Sequence, residues 1–345
     1  MDKIRVGIVG AGNIARTAHL PAYRKMDDVE LVGVADIKLE RAEQAAKEFG
    51  IAKAYASIDE MLADCKLDYV DICVWTGAHA ECAIKAARAG VNILGEKPMA
   101  LNLEHALAME QEIKRAGVKF MLAVPTRYSP QAMLLRQMVD EGKLGDIYYA
   151  KTSYTRRRGT PLGWFTDKAR SGGGPVIDIG VHCIDRTWFL MGCPKPVRVS
   201  AATSSAIGNY QTKGVTRWRA LDSDSTVFDT EDSACGQIRF ENGACMLFEV
   251  SWALNAPEQS FTQVCGSKAG ARMDPLVIYG EECGYLTDNT PTPGKNDMFH
   301  EEIRHFINCL RTGSEPCSNL EQAVQMQRIL EGIYTSAKLG KEVEI

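Results

Sequence analysis

The stretch Gly10-Ala11-Gly12-Asn13-Ile14-Ala15 decides the fold of this chain. It follows a β-branched run, Ile4–Val9, and opens a segment of helical character, Asn13–Met26. The first glycine permits a tight turn, the second lets the backbone approach a pyrophosphate, and Ala15 supplies a small residue where helix and strand pack. The N–H groups and the helix dipole at such a turn suit phosphates. A strand, a glycine turn and a helix in this order predict a dinucleotide-binding Rossmann domain.

Outward from this turn, strand and helix patterns alternate over residues 1–124. Apolar strands separated by helices indicate an α/β fold, in which a doubly wound parallel sheet is covered on both faces. The rhythm changes over residues 125–345, where the pattern becomes mainly strands and Asn242-Gly243 lies between two apolar runs. Asn-Gly in that setting is a strong hairpin signal. We therefore predict a Rossmann domain at 1–124 and an α+β domain with antiparallel strands at 125–345.

Composition excludes several classes of protein. Of the 345 residues, 45% are hydrophobic and 24% charged, which is unlike collagen-like, coiled-coil or disordered chains. The formal charge of −4 gives no reason to expect nucleic acid or an anionic membrane as a partner. No apolar run reaches the roughly 18 residues of a membrane span, and the first residues do not resemble a secretory signal. The 11 cysteines have neither Cys-x-x-Cys nor zinc-type spacing, so we expect a cytoplasmic protein without a metal site.

Asp36 bears on the choice of cofactor. It ends the second strand run, 24 residues after Gly12, where a carboxylate accepts both ribose hydroxyls of NAD and repels the 2′-phosphate of NADP. The alternative is an ordinary aspartate that opens a turn. Because Lys38 and Arg41 are nearby and would soften the exclusion of NADP, the sequence favours NAD without making it strict.

Two later segments carry polar residues suited to chemistry. Glu96-Lys97-Pro98 follows the fifth strand run, and ligands of such sheets bind beyond the carboxyl ends of the strands. By itself this tripeptide is also typical of a solvated turn.

In the second segment, Gly172-Gly173-Gly174 leads into a nearly apolar helix on which Asp178, His182 and Asp185 are spaced i, i+4 and i+7. We expect flexible glycines and a polar stripe that lines a cleft, the alternative being a solvated Asp–His pair.

Together these motifs resemble the Gfo/Idh/MocA family (glucose–fructose oxidoreductase, inositol dehydrogenase and rhizopine catabolism). The resemblance covers essentially the whole chain, including the tail Leu330–Ala337. It implies a Rossmann domain and a C-terminal domain with a large open antiparallel sheet. It also implies oxidation or reduction, with NAD(P), of one carbon of a sugar, cyclitol or sugar acid. The expected partner is a small carbohydrate or polyol.

The resemblance also implies roles for individual residues. Lys97, Asp178 and His182 correspond to the family's catalytic positions, with His182 as general base because an imidazole titrates near neutrality. The family's Pro-Asn-x-x-His stretch after the fourth strand corresponds to residues 74–79, where tryptophan replaces proline and threonine replaces asparagine. Further contacts to cofactor or substrate are expected from Val74, Trp75, Thr76, His79, Glu96, Lys97, Arg127, Trp164 and Arg156.

Two features of the second domain suggest binding surfaces. Arg156-Arg157-Arg158 ends its first strand, and one of these side chains could clamp a carboxylate or phosphate, although a solvated basic turn is an equal alternative. Apolar residues between Ala234 and Trp252 are expected on both sides of the pleat, namely Cys235, Ile238, Met246, Phe248 and Val250. We therefore expect a homodimer or homotetramer that associates through this sheet.

Two other functions remain open on the sequence alone. Some relatives of this fold cleave glycosides through transient oxidation by tightly held NAD, which non-exchanging cofactor and glycoside hydrolysis would reveal. Others are regulators that bind a dinucleotide without turnover. The presence of Lys97, Asp178 and His182 together favours an enzyme, since a regulator has no need of proton-handling groups.

Overall fold

A computed structural model describes residues 2–215 and 227–345. In these ranges the chain forms two compact units. The first contains the residues up to Pro125 together with Asp297–Gln327, and the second contains Thr126–Asn296 together with Arg328–Ile345. The break after Pro125 lies beside the predicted domain limit. Residues 297–327 differ from the prediction, because they belong to the first unit and not to the second.

A six-stranded parallel sheet with strand order β3-β2-β1-β4-β5-β6 forms the first unit. This order confirms the predicted doubly wound fold. Its strands are β1 (Ile4–Val9), β2 (Val29–Ala35), β3 (Ala54–Tyr55), β4 (Tyr69–Ile72), β5 (Asn92–Glu96) and β6 (Phe120–Ala123). The helices between them are α1 (Leu20–Tyr23), α2 (Leu39–Phe49), α3 (Ile58–Asp64), α4 (His79–Arg88) and α5 (Leu103–Ala116).

Apolar side chains cover both faces of this sheet. On one face, Ile303, Phe306 and Ile307 of a helix near the C-terminus enter the same core cluster as the β1 side chains. These three residues explain why the segment returns to the first unit. Its polar side chains hold it as well, since Asp28 accepts hydrogen bonds from Arg304 at 2.7 and 2.9 Å and from Arg311 at 2.6 Å.

The second unit contains a nine-stranded sheet with the order β14-β13-β12-β11-β7-β10-β9-β8-β15. Among the described strands of this second sheet, the β7–β10 pair is parallel and the other neighbours are antiparallel. The strands are β7 (Ile147–Thr155), β8 (Pro196–Ser204), β9 (Ser233–Phe240), β10 (Cys245–Ser251), β11 (Gln259–Gly266), β12 (Gly270–Met273), β13 (Val277–Glu282), β14 (Tyr285–Asn289) and β15 (Val343–Glu344). The remaining helices of the chain are α6 (Pro130–Asp140), α7 (Lys168–Ser171), α8 (Val181–Leu190), α9 (Met298–Thr312) and α10 (Leu320–Leu339).

The predicted hairpin joins β9 to β10 at Asn242-Gly243, where Gly243 has a φ of 85°. Of the five apolar residues expected on both sides of the pleat, four share one face of this hairpin, and Cys235 lies on the other. Ile238 pairs with Met246, and both lie on the buried face with Phe248 and Val250, because these positions alternate along the strands. Cys235 alone of the five is exposed.

Two helices begin with a wide, π-helical turn. One is Ala15–His19, which leads into α1, and the other is Val176–Gly180, which leads into α8. Such turns are often found at functional sites, and here they carry His19 and Asp178. No helix in the described ranges has the length and apolar character that crossing a bilayer requires.

Candidate active site

The glycine turn after β1 is tight at one end and open at the other. Gly10 has a φ of 97°, and a Cβ there would lie 2.7 Å from the Cys73 carbonyl oxygen. At Gly12 an added Cβ would have no neighbouring atom within 4 Å. Ala15 is completely buried, as expected for a helix–strand contact. The turn therefore leaves free space where a dinucleotide phosphate would approach the backbone.

Asp36 lies beside this turn, because β1 and β2 are neighbours in the sheet. Its Oδ2 accepts a hydrogen bond from the Ala11 amide at 2.8 Å, and its Oδ1 accepts one from the Lys38 amide at 2.9 Å. The carboxylate thus holds the glycine turn in place. Its predicted contact with ribose would use the lone pairs that these amides leave available.

The segment after β4 is tied to the turn after β5 by His79. The two ring nitrogens of this buried histidine lie 2.7 Å from the Pro98 carbonyl oxygen and 3.0 Å from that of Val74. Burial lowers the pKa of His79 below its ordinary value. Thr76 is buried as well, and Gly77 leaves room for the Trp75 ring, whose Cη2 would lie 2.7 Å from an added Cβ. Of the four predicted contact residues here, Val74 and Trp75 are the more accessible.

Glu96 and Lys97 turn in different directions at the end of β5. Glu96 is buried, with Oε1 at 2.9 Å from Nε2 of His19 and Oε2 accepting the Lys97 backbone N–H at 3.1 Å. Lys97 is the one half-buried residue between Ile93 and Ala100, which are otherwise buried. The structure therefore makes Lys97 the accessible side chain of the tripeptide and Glu96 part of its support.

In the second unit, Asp178 and His182 are the half-buried residues of the segment 173–185, which is otherwise buried. Trp252, directly after β10, donates its indole N–H to Oδ2 of Asp178 at 2.9 Å. The Thr126 hydroxyl lies 3.4 Å from the His182 carbonyl oxygen. The structure thus brings Asp178 and His182 together one helical turn apart, with the Asp178 carboxylate oriented by an aromatic donor.

The third member of the predicted stripe, Asp185, has a different environment. It is buried and pairs with Arg127 through two hydrogen bonds of 2.7 Å. The Arg127 guanidinium also lies over the Phe189 ring, at 4.9 Å from its centre. Asp185 and Arg127 therefore form an internal ion pair, and Asp185 does not belong to the accessible face.

Two further predicted residues lie elsewhere in the second unit. Trp164 is half-buried and stacks on Phe165 with 4.0 Å between ring centres. Arg156 follows β7 and donates to the Tyr154 hydroxyl at 3.2 Å and to the Gly159 carbonyl at 3.3 Å. Arg156, Arg158 and Glu258 line an open cleft of about 380 Å³.

The glycine triplet before the π-turn is closely packed, whereas the sequence suggested a flexible approach to the helix. The buried Glu231 carboxylate accepts hydrogen bonds from the amides of Gly174, at 2.9 and 3.0 Å, and of Val176, at 3.2 Å. The Tyr334 hydroxyl donates to the same carboxylate at 2.8 Å. A Cβ at Gly173 would overlap the Tyr334 hydroxyl, and one at Gly174 would overlap the Glu231 carbonyl oxygen. Burial raises the pKa of Glu231.

Sequence reasoning did not assign roles to His19, Glu231 or Trp252. Their partners are distant in the chain: Asp71 and Glu96 lie 52 and 77 positions from His19, and Gly174 lies 57 positions from Glu231. A histidine within an apolar helix gives no local sign of such partners. Only the topology, which places the ends of β4 and β5 side by side, shows them.

Comparison with known proteins decides the family. A family model described as an oxidoreductase family with an NAD-binding Rossmann fold matches residues 4–124, and a Gfo/Idh/MocA C-terminal domain model matches residues 133–272. The chain belongs to the Gfo/Idh/MocA family. It is therefore an oxidoreductase whose first unit is an NAD-binding Rossmann domain.

Several members of the Gfo/Idh/MocA family resemble the chain over its full length. D-glucoside 3-dehydrogenase of Escherichia coli is 34% identical, covering 99% of this chain and 97% of the relative. D-apiose dehydrogenase of Paraburkholderia graminis is 28% identical, covering 100% and 90%. A solved structure of levoglucosan dehydrogenase with NADH and levoglucosan shares the fold, with a TM-score of 0.88, 24% identity and full coverage of both chains.

Proposed function

We propose that this protein is an NAD-dependent dehydrogenase that oxidises or reduces one hydroxyl-bearing carbon of a sugar, cyclitol or sugar acid. The observation that carries the proposal is the pair Asp178 and His182, which are the half-buried residues of the otherwise buried segment 173–185. The relatives support the substrate class, since they are named for D-glucoside, D-apiose and, in Thermotoga maritima, myo-inositol.

The residues of the first unit fit the cofactor. The open space beside Gly12 admits a pyrophosphate near the start of a helix, and the Asp36 carboxylate holds the turn through the Ala11 amide. NAD, when bound, exchanges a hydride with the reacting carbon of the substrate. The protein's own task is then to bind, to orient and to move one proton.

His182 takes the hydroxyl proton during oxidation and returns it during reduction. An imidazole is suited to this task, because its ordinary pKa lies near neutrality. Asp178, held by the Trp252 indole, orients the base or a substrate hydroxyl. Lys97 donates a hydrogen bond to the reacting oxygen and stabilises the negative charge that develops on it.

Purified protein should be assayed with NAD and NADH against D-glucose, a D-glucoside, D-apiose, D-xylose, myo-inositol and levoglucosan, with NADH absorbance as the readout. With the best compound, His182→Ala should lower kcat by about 10²–10⁴-fold, and Lys97→Met should remove about 2.7–4 kcal/mol of transition-state stabilisation. Asp178→Asn should lower turnover as well. Full activity of His182→Ala would move the base elsewhere. Release of free sugar without net NADH would identify a glycosidase.

We also propose that the enzyme prefers NAD to NADP, because the Asp36 carboxylate would face a 2′-phosphate. A relative from Haloferax volcanii is named as an NADP(+) enzyme, so the family does not settle the matter. Titration of both cofactors should show tighter NAD binding by the wild type and a relative gain for NADP in Asp36→Ala. Equal affinities in the wild type would contradict this assignment.

The second unit supports a proposal of self-association as a homodimer or homotetramer. One face of its sheet packs on α8, where the Thr152 hydroxyl lies 3.4 Å from the Cys183 carbonyl oxygen. The other face presents half-buried Tyr149 and Leu247, which a second copy would cover. Light scattering at micromolar concentration should therefore give a dimeric or tetrameric mass. A monomeric mass would contradict the proposal.

Arg156 is proposed to contribute to substrate binding from its open cleft, and Arg156→Gln should raise KM more for a sugar acid than for the neutral sugar. The Glu258 carboxylate, which accepts the Arg157 amide at 3.1 Å, partly offsets the positive charge of this cleft.

The 11 free cysteines support a reducing, cytoplasmic location for this activity.

A further inference from the structure

We propose that His19 is a positioning residue for Lys97: its buried ring joins the ends of β4 and β5 and holds the turn from which Lys97 projects. This inference rests on the proposed function, because it takes Lys97 as the group that acts on the substrate. His19 itself is fully buried and contacts neither solvent nor any space open to a substrate.

An unbroken series of contacts connects His19 to the Lys97 backbone. Nδ1 of His19 lies 2.8 Å from Oδ2 of Asp71, a residue of β4. Nε2 of His19 lies 2.9 Å from Oε1 of Glu96, the last residue of β5. The second oxygen of Glu96 accepts the Lys97 N–H at 3.1 Å. Since one Glu96 oxygen contacts His19 and the other accepts the Lys97 N–H, a rotation of this carboxylate would disturb both contacts.

The ring is surrounded by ionisable groups on every element packed against it. They are Tyr23 on α1, Tyr69 and Asp71 on β4, Cys73 after β4, Glu96 on β5 and Glu302 on α9. The Tyr23 hydroxyl donates to Asp71 at 2.8 Å and accepts from Tyr69 at 2.9 Å. Burial raises the pKa of Glu302 well above its ordinary value, which favours the neutral form of this carboxyl.

A protonated His19, an imidazolium, gives the Asp71 and Glu96 carboxylates a shared cationic partner. Burial alone would lower its pKa, but the charge of Asp71 raises it well above the ordinary value. For Glu96, burial alone would raise the pKa, but the hydrogen bond from His19 lowers it overall. Each ring nitrogen then donates to a carboxylate, and a cation between two anions holds both strand ends. An uncharged replacement would leave the anions uncompensated in a buried site.

A metal ion explains this cluster less well. His19, Asp71 and Cys73 do offer ligand atoms within 4.8 Å of one another. However, both ring nitrogens already lie at hydrogen-bond distance from carboxylates, and burial raises the pKa of the Cys73 thiol well above its ordinary value. A protonated thiol is a poor metal ligand. The distances therefore describe a hydrogen-bonded ion network.

The test compares His19→Gln, which keeps a donor but loses the charge, with His305→Gln. His305 is a matched control, because it lies on α9 in the same unit and its Nε2 accepts the Cys317 amide at 3.0 Å. Misplacing a catalytic group by about 1 Å can cost 10²-fold. We expect kcat to fall by about 10²-fold in His19→Gln, NAD affinity to change by less than about threefold, and His305→Gln to retain wild-type kcat.

A double substitution distinguishes positioning from general support of the fold. If His19 acts through Lys97, His19→Gln should have little further effect on kcat in a Lys97→Met background. The same fold-loss in both backgrounds, or wild-type kcat in His19→Gln, would overturn the proposal. Should His19→Gln fail to fold, Glu96→Gln provides the second variant, with the same expected non-additivity toward Lys97→Met.

One measurement does not depend on activity. The His19 ring should show two N–H signals by ¹⁵N NMR, unchanged from pH 6 to 9. Titration of the ring within this range would overturn the proposal even in an active enzyme. A wild type that oxidises none of the sugars with NAD, but whose His19 stays doubly protonated, would instead locate the failure in the proposed function.

Discussion

Two segments of this protein contain glycine for opposite physical reasons. In the first unit, Gly12 faces a space in which an added Cβ would meet no atom within 4 Å. In the second unit, Gly173 and Gly174 face the Tyr334 hydroxyl and the Glu231 backbone, and an added Cβ would overlap them. None of the three has a positive φ, so backbone conformation does not require glycine at these positions.

The difference shows that a glycine run can indicate either a ligand or internal packing. The first segment leaves space beside backbone N–H groups, and the space suits a phosphate. The second segment fills its space with a carboxylate that accepts three backbone and side-chain donors. Its contribution to function is indirect, because it anchors the start of the helix that carries Asp178 and His182.

The largest expected effect is that of Gly174→Ala on stability. The new methyl group would overlap a backbone oxygen, which cannot move away as a flexible side chain would. Overpacking of this kind costs about 3 kcal/mol, at the upper end of the usual range. The transition of the second unit should therefore shift down by roughly 6–12 °C in calorimetry.

Gly294→Ala is the matched control in the same unit, since nothing lies within 4 Å of an added Cβ there. It should leave the transition temperature unchanged. A Gly174→Ala protein as stable as this control would show that Glu231 does not fill the space beside the triplet. NAD affinity should be retained in both variants, because the cofactor is assigned to the other glycine segment.

The next effect is that of Gly12→Ala on NAD binding. The free energy of unfolding without cofactor should change by no more than about 0.5 kcal/mol, because the methyl group meets no protein atom. The NAD dissociation constant should rise at least tenfold, or about 1.4 kcal/mol, since the methyl group enters the space assigned to the pyrophosphate. Titration by calorimetry measures it, and unchanged affinity would mean that the phosphates bind elsewhere.

Features of the structure that depend on local sequence patterns could be predicted from the sequence. The order of strands and helices in the first unit follows from local apolar patterns and from helix ends such as Gly50 and Gly117, both of which have positive φ. The Asn242-Gly243 hairpin is equally local. The accessible Lys97 and the Asp178–His182 pair could be selected by motif and spacing.

Contacts between distant residues could not be predicted in this way. The return of α9 to the first unit depends on the packing of Ile303 and Phe306 against a sheet whose last strand ends at Ala123, 180 residues before Ile303. Arg127 and Asp185 were expected near ligands, yet each is the partner of the other at 58 positions' separation. A charged residue in a motif gives no indication of whether its charge serves a ligand or an internal ion pair.

The smallest expected effect concerns the pH dependence that Glu231 gives to stability. Because burial raises its pKa in the folded state, the folded protein keeps the proton to a higher pH than the unfolded chain does. Stability from this group is therefore complete below the ordinary glutamate pKa, near 4.3, and is lost as the pH rises toward the raised value, by at most about 1.4 kcal/mol per pH unit. Urea unfolding from pH 4.5 to 7.5 should show this loss in the wild type and not in Glu231→Gln.

Asp28 provides the opposite control: the hydrogen bond from Arg304 lowers its pKa, so Asp28→Asn should remove a stabilisation that the wild type loses only as the pH falls below about 4. Identical pH profiles for wild type and Glu231→Gln would mean that the carboxylate beside Gly174 is as well solvated as one on the surface.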